Sequence, residues 1–270
     1  MRLCKYHGLG NDYLVLEEGP AMTAALVREL CHRNTGPGGD GILEPADAGP
    51  CDAGVRIWNP DGSVAEKSGN GLRIYARWLV DTGRRSSPFS IWTGWCAVEC
   101  VVGKGDIAVQ MGVATVDPAS VPVAMALVDA KIGEAGPVTA IGLGNPHCVV
   151  FCADPDAVDW RAAGARLEVD PRFPNRTNVQ HAAVLGPGRV LARIWERGAG
   201  ETLASGSSAC AVAAAAVRTG RLQPGLITVQ MAGGDLTVEV GSDLSLRLIG
   251  PVERVGHIMV DAAWLAKRGA

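Results

Sequence analysis

Arg56-Ile57-Trp58, nine residues, then Ser68-Gly69-Asn70-Gly71-Leu72-Arg73: this stretch returns as Arg193-Ile194-Trp195, nine residues, then Ser205-Gly206-Ser207-Ser208-Ala209. The Arg-to-Ser spacing is 12 in both copies, and the copies lie 137 residues apart. A second pair supports the first, because Gly8-Leu9-Gly10-Asn11 recurs as Gly142-Leu143-Gly144-Asn145 at an offset of 134. Two motif pairs in one order at nearly one offset make the chain a tandem of two homologous halves. The pattern loosens around Val113 to Val121, with Pro118 and Pro122, and the linker is expected there. The halves are accordingly expected at 1–116, with 257–270 returning to the first, and at 117–256.

Each copy has the same local grammar. An apolar, strand-like run (Val55 to Trp58; Val190 to Trp195) enters a polar, glycine-containing loop that ends at Ser-Gly. Leu72, Tyr75, Ala76 and Leu79 then recur at helical spacing. After Ser205, the small apolar run Ala209 to Val217 suits a helix buried on every side. Each loop therefore ends at a helix N-terminus, where unpaired amides and the helix dipole attract an anion. If the halves pack about a pseudo-two-fold axis, the two turns face each other, and a small carboxylate fits between the helix starts with Ser68 and Ser205 on opposite sides of it. Taken singly, a serine at such a position is most simply an N-cap. The duplication argues for chemistry as well.

The totals describe an ordinary globular chain of 270 residues, 47% hydrophobic and 20% charged. A net charge of −3 without a Lys/Arg cluster argues against nucleic acid or an anionic membrane as partner. Met1 to Gly10 lacks the apolar core of a signal peptide, and Ala209 to Val217 is too short to span a bilayer. The expected location is the cytoplasm. The eight cysteines include no CxxC pair and read as small buried hydrophobes. With no ligand cluster, dinucleotide fingerprint or P-loop, no metal or organic cofactor is expected.

Along the chain, Asn11 sits in a glycine turn that would expose its side chain. Thr23 is a candidate N-cap for a helix through Leu26, Leu30 and Cys31. Asn34 to Gly41 holds four glycines in its eight residues and reads as a flexible turn. His147 follows the second Gly-Leu-Gly-Asn by two residues, where a structural and a catalytic role are equally open. Asp156 to Leu167 reads as a helix, Pro174 to Val184 as a loop entering a strand with Asn178 within it, and Thr228 to Val240 as a hairpin.

At His7-Gly8-Leu9-Gly10-Asn11-Asp12, Asn59-x-Asp61-Gly62-Ser63, Gly69-Asn70-Gly71, Gly144-Asn145-Pro146-His147-Cys148 and Glu196-Arg197-Gly198-x-Gly200-Glu201-Thr202, the sequence resembles the diaminopimelate epimerases, cofactor-independent amino-acid isomerases. The resemblance spans nearly the whole chain. It implies an α/β (α+β) fold of two pseudo-symmetric halves, each a curved, mostly antiparallel sheet around a central helix, with the site in the cleft between them. It implies a small amino- or imino-acid substrate and a homodimer. It also implies that Gly69, Asn70, Gly206 and Ser207 offer amides to the substrate α-carboxylate. Asn11, Asn59, Asn145, Asn178, Glu196 and Arg197 would line the pocket, Arg197 as a clamp for a second carboxylate.

The departure falls on the chemistry. The family carries cysteine at both positions held here by Ser68 and Ser205, one thiolate removing the α-proton while the opposite thiol delivers another. A thiol titrates near ~8.5 and lower at a helix N-terminus, whereas a serine hydroxyl needs a base to accept its proton. One reading is a divergent isomerase whose conjugated imine or diene substrate is easier to deprotonate, as in pathways to alkylproline units of antibiotics, with His147 or Glu196 as base. The second is a diaminopimelate epimerase of lysine biosynthesis silenced by Cys-to-Ser changes. The third is an inactive amino-acid-binding paralogue.

Overall fold

The two Ser-Gly turns open two long helices, and each helix is the hub of its own unit. The computed structural model describes residues 1–133 and 136–269; the other three positions, which fall inside the expected halves, lie outside the described residues. The chain divides into Met1–Val109 with Gly250–Ala270, and Gln110–Ile249. Both boundaries fall seven residues earlier than the sequence reading put them (116 − 109 and 256 − 249). Register is the reason. Glu253–Met259 is already a strand paired along Arg2–Gly8, with His7 opposite Glu253, so the return starts before His257. At the other end, Ala114 N donates to Leu244 O and Thr115 bridges Gly142, which ties this stretch to the second unit.

In the first unit, Arg2–Gly8 and Asn11–Glu18 form a hairpin closed by Leu9 (φ 55°) and Gly10 (φ 88°). Helix α1 (Ala24–Cys31) starts at Thr23, whose side chain accepts from Leu26 N at 3.2 Å. It carries the chain over to Ile42–Ala46, which lies parallel to the Asn11–Glu18 strand. Ala53–Trp58 follows antiparallel, and helix α2 (Gly69–Asp81) then crosses to Phe89–Trp92, parallel to Ala53–Trp58. The second unit repeats this plan. Pro137–Gly142 and Pro146–Phe151 form the hairpin, and helix α3 (Trp160–Glu168) crosses to the parallel strand Asn178–Gly186. Arg189–Glu196 pairs antiparallel, and helix α4 (Gly206–Arg218) crosses to the parallel strand Gly225–Met231. Parallel pairing occurs at the two helix crossovers of each unit, as it must, since only a long connection can return a strand in the same direction.

Helix α4 is buried as its composition requires, with Ala209 to Ala216 at 0% exposure. Small side chains let the sheet close around it. Helix α2 buries Leu72, Ile74, Tyr75, Ala76, Trp78 and Leu79 against the strands Arg2–Gly8, Asn11–Glu18 and Ala97–Val102.

Three local expectations are corrected. The helix expected at Asp156 starts at Trp160, because Val158 is extended and Asp159 caps Ala162 N; a 3₁₀ turn, Pro155–Ala157, precedes it. Asn34 to Gly41 is a tied-down loop. Gly36, Gly38 and Gly39 amides donate to His32, Leu30 and Cys31 carbonyls, and Asp40 N donates to Asp12 O at 2.7 Å. A Cβ on Gly36 would stand 2.1 Å from Glu29 O, so glycine serves close approach there. Among the cysteines, Cys4, Cys31, Cys100, Cys148 and Cys210 are buried, but Cys51, Cys96 and Cys152 are only half-buried. Cys96 and Cys152 lie just outside the strands Ala97–Val102 and Pro146–Phe151.

Candidate active site

Both serines cap their helices in one conformation, φ −138°, ψ 118° at Ser68 and φ −144°, ψ 125° at Ser205. Ser68 Oγ accepts from Gly71 N at 3.0 Å, and Ser205 Oγ from Ser208 N at 3.4 Å. The first-turn amides of Gly69, Asn70, Gly206 and Ser207 precede the first intrahelical bonds, so each unit presents a helix start suited to an anion.

Behind Ser68 runs a one-way chain of donors. Arg73 Nη2 donates to Asn70 Oδ1 at 2.7 Å, Asn70 Nδ2 to Asn11 Oδ1 at 3.0 Å, and Asn11 Nδ2 to Asp40 Oδ2 at 2.9 Å. Asp40 also accepts from Asp12 N at 3.0 Å and from Arg33 at 2.6 Å. Burial raises the Asp12 carboxyl, but Arg33 and Lys5 outweigh it and hold Asp12 below the usual carboxylate range. The glycine loop thus serves to deliver Asp40 to Asn11. On the other side of Ser68, the Tyr13 hydroxyl lies 3.1 Å from Oγ. Asn59 stands apart from this chain, its amide donating to Ser63 Oγ at 2.9 Å in the turn that follows its strand.

In the second unit, His147 is fully buried and both ring nitrogens are engaged. Gln180 Nε2 donates to Nδ1 at 3.1 Å and to Ser208 Oγ at 3.0 Å, which leaves Nε2–H to donate to Asn145 Oδ1 at 3.0 Å. This partner set assigns the neutral Nε2–H tautomer. Burial, with the Arg197 charge nearby, lowers the imidazole to about 3. Both ring nitrogens are thus engaged, and the Nε2–H bond fixes the Asn145 side chain. Asn145 and Asn11 match: each has its Oδ1 filled by an interior donor.

Asn178 Oδ1 accepts from Arg197 N at 3.0 Å and its Nδ2 donates to Pro146 O at 3.0 Å, while Arg197 Nη1 donates to Asn175 O at 3.1 Å. The half-buried Glu196 ends the strand Arg189–Glu196 and pairs with Gly200 across a tight turn. Glu168 pins that turn. It accepts from Gly198 N at 2.8 Å and Trp195 Nε1 at 2.7 Å and pairs with Arg176. Burial raises its carboxyl, yet these donors hold it below the usual range. Glu44 does the same for the repeated tryptophan of the first unit, accepting from Trp58 Nε1 at 2.9 Å.

The sequence reading missed Tyr13, Asp40, Arg73, Gln180, Ser208 and Glu168. Arg73 was legible as one turn after Asn70, and Gln180 as two residues after Asn178 on one strand face; nothing local marked Asp40 or Glu168. Elsewhere, Cys4, Glu17 and His257 bring ligand-type atoms within 4.8 Å of one another. Arg2 and Trp78 each donate to Glu17 at 3.0 Å and Arg254 abuts His257, so guanidinium groups already serve this cluster.

The model of the diaminopimelate epimerase family matches residues 3–116 and 139–255. The chain belongs to the diaminopimelate epimerase family. It is 38% identical over 283 residues to the diaminopimelate epimerase of Desulfitobacterium hafniense, covering 97% of this chain and 99% of that one. To diaminopimelate epimerase 2 of Nostoc sp. it is 42% identical, covering 95% and 94%. By family it is an isomerase of the amino-acid racemase and epimerase type. Solved structures of similar fold include a PhzF-family phenazine biosynthesis protein from Bacillus anthracis, at TM-score 0.72 and 12% identity over 97% and 99% of the two chains. A hydroxyproline epimerase from Agrobacterium vitis, solved with trans-4-hydroxy-L-proline, aligns at TM-score 0.69 and 17% identity over 98% and 93%. At those identities the likeness is one of fold.

Proposed function

We propose that the protein is a cofactor-independent isomerase that moves a proton at, or conjugated to, the α-carbon of a small amino or imino acid, shifting a double bond or tautomer. The observation that carries this reading is the pair of serine-capped helix starts. Within its own unit, neither Ser68 nor Ser205 is hydrogen-bonded to an imidazole or carboxylate among the described residues. A serine without such a base does not remove an unactivated α-proton at a useful rate. A C–H bond acidified by a conjugated imine or diene needs far less. In this reading the helix-start amides of Gly69 and Asn70 in one unit, and of Gly206 and Ser207 in the other, are the carboxylate-binding groups, and Ser68 and Ser205 are the proton-handling groups beside them. Asn11, Asn59, Asn145, Asn178 and Arg197 hold the rest of the molecule, and Glu196 is the carboxylate base, since His147 is committed to Asn145. The biosynthesis of alkylproline units for antibiotics is a setting that consumes such chemistry, and the enzyme works as a cytoplasmic homodimer.

A second reading, a diaminopimelate epimerase with its thiols replaced, draws on the 38% and 42% identities to proteins of that name. Deuterium incorporation at carbon in D₂O, followed by NMR, separates the two. Exchange of an unsaturated cyclic imino acid but not L,L-diaminopimelate supports the divergent isomerase. Exchange of diaminopimelate only by the Ser68→Cys/Ser205→Cys variant supports the second reading. Micromolar binding without exchange by either form points to a binding paralogue and sinks both.

A further inference from the structure

We propose that the Tyr13 phenol charges and discharges Ser68, so that proton transfer at the carbon facing Ser68 runs through a Tyr13–Ser68 relay, with Glu196 left as the base elsewhere on the conjugated system. This deepens the isomerase reading above and rests on it. The two serines share a backbone conformation but not a chemical environment. Ser68 Oγ has two lone pairs and one proton. Gly71 N–H occupies one lone pair at 3.0 Å, and the Tyr13 hydroxyl, 3.1 Å away, can donate to the other. Among the described residues no further acceptor meets Ser68 Oγ, so its proton is left for the substrate. Ser205 has no phenol; its neighbours are Ser207 Oγ at 3.5 Å and Ser208 N at 3.4 Å, both long contacts. Tyr13 itself is 6% exposed on the strand Asn11–Glu18, two residues from Asn11, so strand and helix α2 together set the approach of the two hydroxyls.

Acidity decides which group can serve. A phenol is a far stronger acid than a serine hydroxyl, so of the two it is the group that can carry the negative charge once the serine proton has moved. When the carbon is protonated, the Ser68 O–H bond breaks as the C–H bond forms at the nucleophilic carbon of an enamine. Ser68 Oγ takes the phenol proton in the same motion. Tyr13 becomes phenolate, the imine nitrogen carries the balancing positive charge, and water returns a proton to the phenolate as the nitrogen gives one up. Deprotonation runs these steps in reverse, with the phenolate as ultimate acceptor.

Two measurements test the relay. The first is deuterium uptake at C3 of 1-pyrroline-2-carboxylate in D₂O, with the uncatalysed rate subtracted. Tyr13→Phe removes one oxygen from a buried ring and is expected to slow exchange about 10²-fold, the usual scale of general acid–base catalysis. Adding Tyr13→Phe to Ser68→Ala should cost nothing more, because the two act as one unit. An unchanged rate in Tyr13→Phe, or independent losses in the double variant, overturns the relay and leaves the isomerase reading intact. Absence of exchange in the unaltered protein overturns that reading. The second measurement needs no substrate: ultraviolet titration of the thiol in Ser68→Cys against Ser68→Cys/Tyr13→Phe. A phenol donating to the thiolate lowers the thiol by about one pH unit relative to the double variant. Coincident titrations would show that Tyr13 does not serve position 68.

Discussion

His147 should remain neutral far into acid, and the second unit should lose stability because of it. The perturbation is a drop in pH from 7 to 5. The imidazole is fully buried, its Nδ1 accepts from Gln180 and its Nε2–H donates to Asn145, and burial lowers it to about 3. In the unfolded chain it titrates near ~6.5. Between these values the unfolded state binds a proton that the folded state refuses, so stability falls as pH falls through the window from 6.5 toward 3. The slope for one such group is about 1.4 kcal/mol per pH unit. From pH 6.5 to 5 the loss is therefore about 2 kcal/mol. Urea unfolding at pH 7 and pH 5 measures it, with His147→Gln as reference. The variant is expected to be less stable throughout, because Asn145 and Gln180 lose a partner, but its pH-dependent loss should be smaller by about 2 kcal/mol. Nitrogen chemical shifts of the imidazole should report the Nε2–H tautomer unchanged from pH 8 to 5. A ring that titrates near 6.5, together with equal pH-dependent losses in both proteins, would refute the assignment of His147 as a positioning group and restore it as a candidate base.

Three further outcomes are expected. Glu168→Gln puts an amide N–H₂ against a donor, either Gly198 N–H or the Trp195 indole, and should cost about 2 kcal/mol in urea unfolding. Gly36→Ala drives a methyl to 2.1 Å from Glu29 O and should destabilise by about 1–3 kcal/mol, read as a lowered Tm; an unchanged Tm would mean that the loop is not packed down. Asp40→Asn removes the carboxylate on which Asn11 Nδ2, Asp12 N and Arg33 converge. Its signature should be a shifted and broadened Asn11 side-chain amide resonance in a protein that otherwise stays folded.

The repeat made the tandem fold legible, and the serines were legible as helix starts because capping is local: one side chain, one amide three residues on. The seven-residue difference at each unit boundary had a different origin. Glu253–Met259 is exposed along most of its length, so no apolar signal announced that it pairs with Arg2–Gly8. The glycine loop misled for the converse reason. Its glycines permit close approach, and neither their contacts with the end of α1 nor the landing of Asp40 on Asn11 can be read from composition. His147 was the most consequential ambiguity. A histidine two residues after a repeated turn looks the same in sequence whether it faces solvent or sits against Gln180, thirty-three residues away.

By itself, the sequence determined what depends on neighbours along the chain: two equivalent halves, a serine cap at the start of each central helix, an all-small helix that had to be buried, and membership of a family of amino-acid isomerases. Only the tertiary structure decided which partners these groups meet. Tyr13 and Ser68 are separated by 55 residues and lie within a hydrogen bond of each other. His147 and Gln180 meet only because Pro146–Phe151 runs parallel to Asn178–Gly186. Acidity and basicity are set by burial and by the partner on each lone pair, and both are properties of the packed chain rather than of the residue type.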